Sequence, residues 1–147
     1  MAAGLDLNTR DHKVLLWKLI IKCADVSNCT KSLQLYSAWI ERLFNEMWNM
    51  GDKEKALKVD VSPYSDREQQ NAPSSQIGFI DFIVSPLFEM AHEVIDLPIP
   101  MVNLTRNKEF FKRCKDLSYM RLDACLHESK LTLAGNETPL PSTTDPK

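Results

Sequence analysis

"LQLYSAWIERLFNEMWNM", residues 33–50, sets Tyr36, Trp39, Ile40, Leu43, Phe44 and Met47 three or four positions apart, with Glu41, Arg42 and Asn45 between them. Such spacing returns side chains to one side of a 3.6-residue turn, so the segment reads as an amphipathic helix. Gly51, just beyond, reads as its stop, because glycine takes the left-handed conformation that ends many helices. Upstream, "DHKVLLWKLIIKCAD" (11–25) places Leu15, Leu16, Leu19, Ile20 and Cys23 at i, i+4 and i+8, which predicts a second helix with one apolar stripe. Asn28, Thr30 and Ser32 then interrupt the pattern.

Downstream, residues 52–75 hold Pro63 and Pro73 around polar residues and have little apolar periodicity. They read as a short helical turn near Lys53 to Leu57 followed by a long ordered loop. From Ser75, Ile80, Ile83, Val84, Leu87, Phe88, Ala91, Val94 and Ile95 form a broad apolar face, so this helix is expected to be central and buried on most sides. Pro86 inside it lacks an N–H and collides with the carbonyl four residues back, which predicts a kink near Phe82 to Pro86. Pro98 and Pro100 mark a break, after which Phe110, Cys114, Leu117, Met120 and Leu122 resume helical spacing. No strand-like alternation occurs, so the fold class is all-α, a helical bundle over residues 1–129. Residues 130–147, too poor in apolar groups to form a core, read as a disordered tail.

A chain of 147 residues, 44% hydrophobic, fits one domain with a real core. Its net charge of −2 offers no basic stripe, which argues against nucleic acid as a partner. No apolar run approaches the ~20 residues of a membrane span and no signal-peptide pattern opens the chain, so the expected location is cytoplasmic. Cys23, Cys29, Cys114 and Cys125 lack zinc-type spacing and read as reduced thiols.

Three features suggest chemistry, each with a plain alternative. In "IIKCADVSN" (20–28), Asp25 and Asn28 follow an apolar helix; they read as helix punctuation or as a metal ligand beside a ligand-binding amide. In "SSQIGFIDF" (74–82), Gln76 and Phe79 share a helix face, where an amide could read the edge of a planar heterocycle while a ring stacks on it. The alternative is a solvated amide and a core ring. Tyr36, Trp39, Ile40 and Leu43 read as core or as pocket wall.

Taken in order, "KCADVSN", "LQLYSAWIERLF", "GDKEKA", "VSPYSDRE" and "SSQIGFIDFIVSPLFE" resemble the C-terminal half of the catalytic domain of class I 3′,5′-cyclic nucleotide phosphodiesterases, an HD-type all-α fold. The likeness runs from about residue 14 to about residue 95, and more loosely to 117. It implies hydrolysis of cyclic nucleotides, cyclic AMP favoured over cyclic GMP, to 5′-monophosphates. It also implies a centre of two divalent metals, zinc with magnesium or manganese, which suits in-line displacement at phosphorus. On this resemblance Asp25 matches a metal-binding aspartate, Gln76 the glutamine that bonds the purine edge, and Phe79 the aromatic that stacks on the ring. Leu43 matches the opposite jaw, and Asn28, Tyr36, Trp39 and Ile40 match the base-pocket wall.

Two departures accompany the match. The family commonly carries proline where Cys29 and Ser32 stand, so the turn after Asn28 is expected to be looser. The other metal ligands and the general-acid histidine lie upstream of the matched motifs, and His12, His92 and His127 match none of them. The chain alone is therefore expected to be inactive: a part of a longer phosphodiesterase, or a truncated module that binds nucleotide weakly or pairs with a second copy or a full-length relative.

Overall fold

The computed structural model describes Asp6 and residues 8–136, and among these no strand occurs. Helix α1 (Arg10–Asp25) leads through a 3₁₀ turn (Ser27–Thr30) into α2 (Leu33–Ala56). A long loop precedes α3 (Ala72–Phe79), which passes through a π turn (Ile80–Val84) into α4 (Ser85–Val94). The chain closes with α5 (Pro98–Asp116) and α6 (Leu122–Asn136). The all-α expectation holds, and the core forms where α2, the π turn, α4 and α5 meet, through Tyr36, Ile40, Phe44, Ile80, Val84, Phe88, Phe110, Phe111 and Cys114. Tyr36 meets Phe111 edge-on with ring centroids 5.8 Å apart, a favourable quadrupole arrangement. All four cysteines are free and buried.

Gly51 does not end α2. The helix runs on to Ala56, absorbing the separate turn expected near Lys53 to Leu57, and Gly51 is buried within it. A Cβ at Gly51 would lie 2.0 Å from the Ser65 carbonyl oxygen, so glycine is there to admit the loop backbone. That loop is strapped to α2 by Lys55 to Asp66 (2.7 Å), Arg67 to Asp52 (2.8 Å) and Ser62 to Glu54, whose carboxylate accepts from the Ser62 hydroxyl at 2.6 Å and its N–H at 2.8 Å. These bonds hold the Glu54 carboxyl below its ordinary pKa. The real stop is Lys58, at φ 57°, where Lys58 N–H bonds the Lys55 carbonyl and Val59 N–H the Glu54 carbonyl, a Schellman closure built without glycine.

The disruption expected around Pro86 takes the form of the π turn just before it, where the wider ladder accommodates the proline's missing N–H and its ring. Lys108 of α5 forms an ion pair with Asp81 in that turn. The run through the π turn into α4 is not buried on most sides: Phe82, Ile83 and Met90 are exposed, and Ile80, Val84, Phe88 and Ala91 make its fully buried ridge. The helical spacing through Leu122 is also broken, since Ser118 at φ 58° closes α5 and α6 starts afresh. Helix α6 continues to Asn136, past the expected end of order at Lys130, with Thr132 bonded to Arg113 across the helix pair; residues 137–147 lie outside the described residues.

The turn after Asn28 is tied down without prolines. Asn107 of α5, 1% exposed, donates through Nδ2 to the carbonyls of Cys29 and Lys31, both at 2.8 Å, and Asn103 donates to the Thr30 carbonyl at 3.1 Å. Asn107→Ala orphans two carbonyls and is expected to lower stability by about 2 kcal/mol, or roughly 5–8 °C in Tm. Thermal melting by circular dichroism checks this, and a melting point within about 2 °C of the parent would remove Asn107 as the turn's anchor.

Candidate functional site

Helix α3 is placed by its start. Asn71 caps it, accepting from Ser74 N–H at 3.2 Å, and the Ala72 N–H bonds the Met120 carbonyl at 3.0 Å, fixing the helix to the α5–α6 connection. This aims Gln76 and Phe79 toward α2. Between the two helices lies a cleft of about 590 Å³, walled by Leu43, Phe44 and Met47 on one side and by Gln76, Gly78 and Phe79 on the other, with Tyr64, Ser74, Ser75, Phe82 and Ile83 around them. Its walls are mainly apolar with few polar groups, the usual character of a small-molecule site, and its volume falls in the usual range. Gly78 presents no side chain there, and a Cβ added to it would meet nothing within 4 Å.

Gln76 is 6% exposed and its amide is oriented from below: the Tyr36 hydroxyl donates to Oε1 at 2.9 Å. Tyr36 itself is wholly buried, and burial raises its pKa well above that of an exposed phenol, so it stays protonated and remains a donor. The Cys29 thiol is likewise pushed up to about 12 by burial and stays neutral. With one lone pair of Oε1 occupied, the Gln76 amide keeps one acceptor site and two N–H donors for a ligand.

The structure therefore brings Leu43, Gln76 and Phe79 together and seats Tyr36 beneath them. The other sequence candidates stand elsewhere. Ile40 is 1% exposed in the core. Trp39 is half exposed on α2 outside the cleft, and Asn28 is half-buried in the 3₁₀ turn, its carbonyl accepting from Lys31 N–H at 3.3 Å. Asp25 is exposed at the last position of α1. Among the described residues no three His, Cys, Asp or Glu side chains converge to hold a metal ion. The residues present therefore do not fit a metal centre by themselves, since a lone carboxylate supplies too few ligands. Met47, Ser74, Ser75, Tyr64, Phe82 and Ile83 were not singled out as cleft residues; of these Met47 carries a signal, four positions after Leu43, as do Phe82 and Ile83, three and four positions after Phe79. A larger hollow of about 840 Å³ runs along α2 from Arg42 to Lys53, but no second element faces it.

The family described as 3'5'-cyclic nucleotide phosphodiesterase matches residues 3–105. The probable 3′,5′-cyclic-AMP phosphodiesterase pde-4 of Caenorhabditis elegans is 37% identical over 108 residues, covering 72% of this chain and 16% of that protein. The 3′,5′-cyclic-AMP phosphodiesterase 4 of Dictyostelium discoideum is 42% identical over 86 residues, 58% of this chain and 8% of that one. Among solved structures, LmjPDEB1 in complex with IBMX superposes with a TM-score of 0.72 at 28% identity, over 78% of this chain and 35% of its own. The chain thus spans a sixth or less of the length of these curated relatives.

Proposed function

Because the chain belongs to the 3′,5′-cyclic nucleotide phosphodiesterase family, we propose that it forms the base-recognition part of a phosphodiesterase catalytic domain, with cyclic AMP preferred over cyclic GMP. One observation carries this reading: Leu43, Gln76 and Phe79 converge on one cleft while Tyr36 fixes the Gln76 amide. Phe79 stacks on a purine from one side, Leu43 closes on the other, and the amide reads the edge, donating to a ring nitrogen and accepting from an exocyclic amine. The preference for cyclic AMP is supported by the names of the worm and slime-mould relatives.

Hydrolysis belongs to the completed domain. There Asp25 would give one carboxylate to a divalent-metal centre, zinc with magnesium or manganese, whose other donors are not found among the described residues; bound metals would supply Lewis acidity at the cyclic phosphate. Among the described residues no helix is long and apolar enough to cross a membrane, and a cytoplasmic location fits the reading. A second reading, a non-catalytic module that pairs with a full-length relative, draws on one observation: the uncovered apolar residues of α1.

Equilibrium titration of the chain with cyclic AMP and cyclic GMP tests the recognition role. Cyclic AMP is expected to bind more tightly. Tyr36→Phe frees the amide to turn over, and is expected to shrink the difference between the two nucleotides several-fold. A parent chain that binds neither nucleotide at millimolar concentration would remove the cleft from consideration.

A further inference from the structure

Two of the four buried thiols stand together. Cys114, in the last turn of α5, and Cys125, in the first turn of α6, are 0% and 1% exposed, and their side chains face each other closely enough to share a hydrogen bond. The connection they bracket is bonded to both: Tyr119 N–H donates to the Cys114 carbonyl at 2.9 Å, and the Cys125 thiol donates to the Tyr119 carbonyl at 3.3 Å. The same connection seats the start of α3, because the Met120 carbonyl accepts from Ala72 N–H at 3.0 Å and Leu122 N–H donates to Gln70 Oε1 at 3.2 Å. The other two thiols bond carbonyls elsewhere, Cys23 that of Leu87 and Cys29 that of Val26, and burial raises the pKa of both.

We propose that Cys114 and Cys125 form a reversible disulfide, with a peroxide as the oxidant, and that this bond clamps the α5–α6 connection against the first turn of α3. Cys114 is the attacking group. Burial alone would raise its pKa, but the Cys125 proton that rests on the Tyr119 carbonyl turns to a Cys114 thiolate, which holds Cys114 below the ordinary thiol range and pushes Cys125 above it. The thiolate attacks one peroxide oxygen and the O–O bond breaks; Cys114 becomes a sulfenic acid, and the second oxygen leaves as water with the proton that the thiol released. The Cys125 sulfur then attacks the sulfenic sulfur, the S–S bond forms, and the sulfenic oxygen leaves as a second water with the Cys125 proton. The two thiols lose two electrons and two hydrogens, and the peroxide is reduced to water. Access follows from how thinly α6 is held: among its described residues Leu122, Cys125 and Ser129 are the fully buried ones, so its local separation from α5 uncovers both sulfurs at a small loss of packing.

The test treats the full chain with stoichiometric hydrogen peroxide, alkylates the remaining thiols under denaturing conditions, and maps the digest by mass spectrometry. The peptides carrying Cys114 and Cys125 are expected to be joined, with Cys23 and Cys29 alkylated, and dithiothreitol is expected to restore all four thiols. Cys125→Ser is expected to halt the sequence at a Cys114 sulfenic acid, trapped by dimedone; the map of the parent chain decides the pairing even where this variant does not fold. Hydrogen exchange reads the clamp. The Ala72 amide is expected to exchange at least about tenfold more slowly in the oxidised chain, since closing the ring restricts the opening of the connection it is bonded to. Four free thiols after peroxide, or a disulfide that includes Cys23 or Cys29, overturns the proposal. A Cys114–Cys125 bond that leaves Ala72 exchange unchanged overturns the clamp on α3. No readout involves a nucleotide, so a failure of the recognition role leaves the result standing.

Discussion

Gly51→Ala is expected to be the most destabilising single-methyl change in the protein. The added Cβ would sit 2.0 Å from the Ser65 carbonyl oxygen and 2.8 Å from its carbon, and neither is the free end of a flexible side chain. To make room, the loop must lift from α2, and the attachments on either side resist: Lys55 holds Asp66 at 2.7 Å, while Arg67 holds Asp52 at 2.8 Å and lies over the Trp48 ring at 5.3 Å. Overpacking against backbone is expected to remove roughly 3 kcal/mol or more, outweighing the ~1 kcal/mol that alanine gains over glycine inside a helix. A fall in Tm on the order of 10 °C should follow. Gly78→Ala is the matched control: its Cβ meets nothing within 4 Å, so helix propensity alone acts and Tm should hold or rise slightly. Equal melting points for the two variants would refute the close approach at Ser65.

The same glycine shows where sequence reading stops. A glycine after an apolar run signals either a left-handed cap or a place where another backbone comes close, and the sequence letter is identical for both. Only the position of Ser65 decides, and that is a contact across the fold. The true stop, Lys58, adopts a conformation its side chain gives no reason to expect. The apolar stripe of α2 was legible because its burial follows helical period through Tyr36, Ile40 and Phe44, whereas of the spacing read past Pro100 only Phe110 and Cys114 fall in α5. Exposure of Phe82 and Ile83 was not legible, because periodicity says that a side is apolar without saying whether anything covers it. In the cleft, Gln76 and Phe79 were weak candidates by local context and became strong through the ordered motifs around them. Tyr36 reads from the sequence as core or as pocket wall; it is wholly buried, one layer beneath the cleft, and acts on Gln76 through a hydrogen bond that no spacing rule contains.

That hydrogen bond makes Gln76 the position where loss should be greatest for function. Consider a chimera in which this chain replaces the matching 108 residues of the C. elegans relative, so that the rest of the catalytic domain is present. On the proposed function Gln76→Ala there removes the amide from the base edge, and it leaves the Tyr36 hydroxyl, in a wholly buried side chain, without its acceptor. A site built to hydrogen-bond its ligand loses far more than the bond when the partner is deleted, because the remaining polar group is stranded. The expected result is a fall of about 10²-fold or more in kcat/KM for cyclic AMP, or near 3 kcal/mol. Stranding Tyr36 also predicts a drop in Tm of a few degrees, which Gln76→Ala combined with Tyr36→Phe should largely recover without recovering turnover. This double variant separates the two roles proposed for the pair: the melt is expected to follow satisfaction of the buried Tyr36 hydroxyl, and turnover to follow the amide proposed to face the purine. Turnover by Gln76→Ala equal to that of the parent chimera would show that the base is held elsewhere and that the Gln76–Phe79 side of the cleft is only packing.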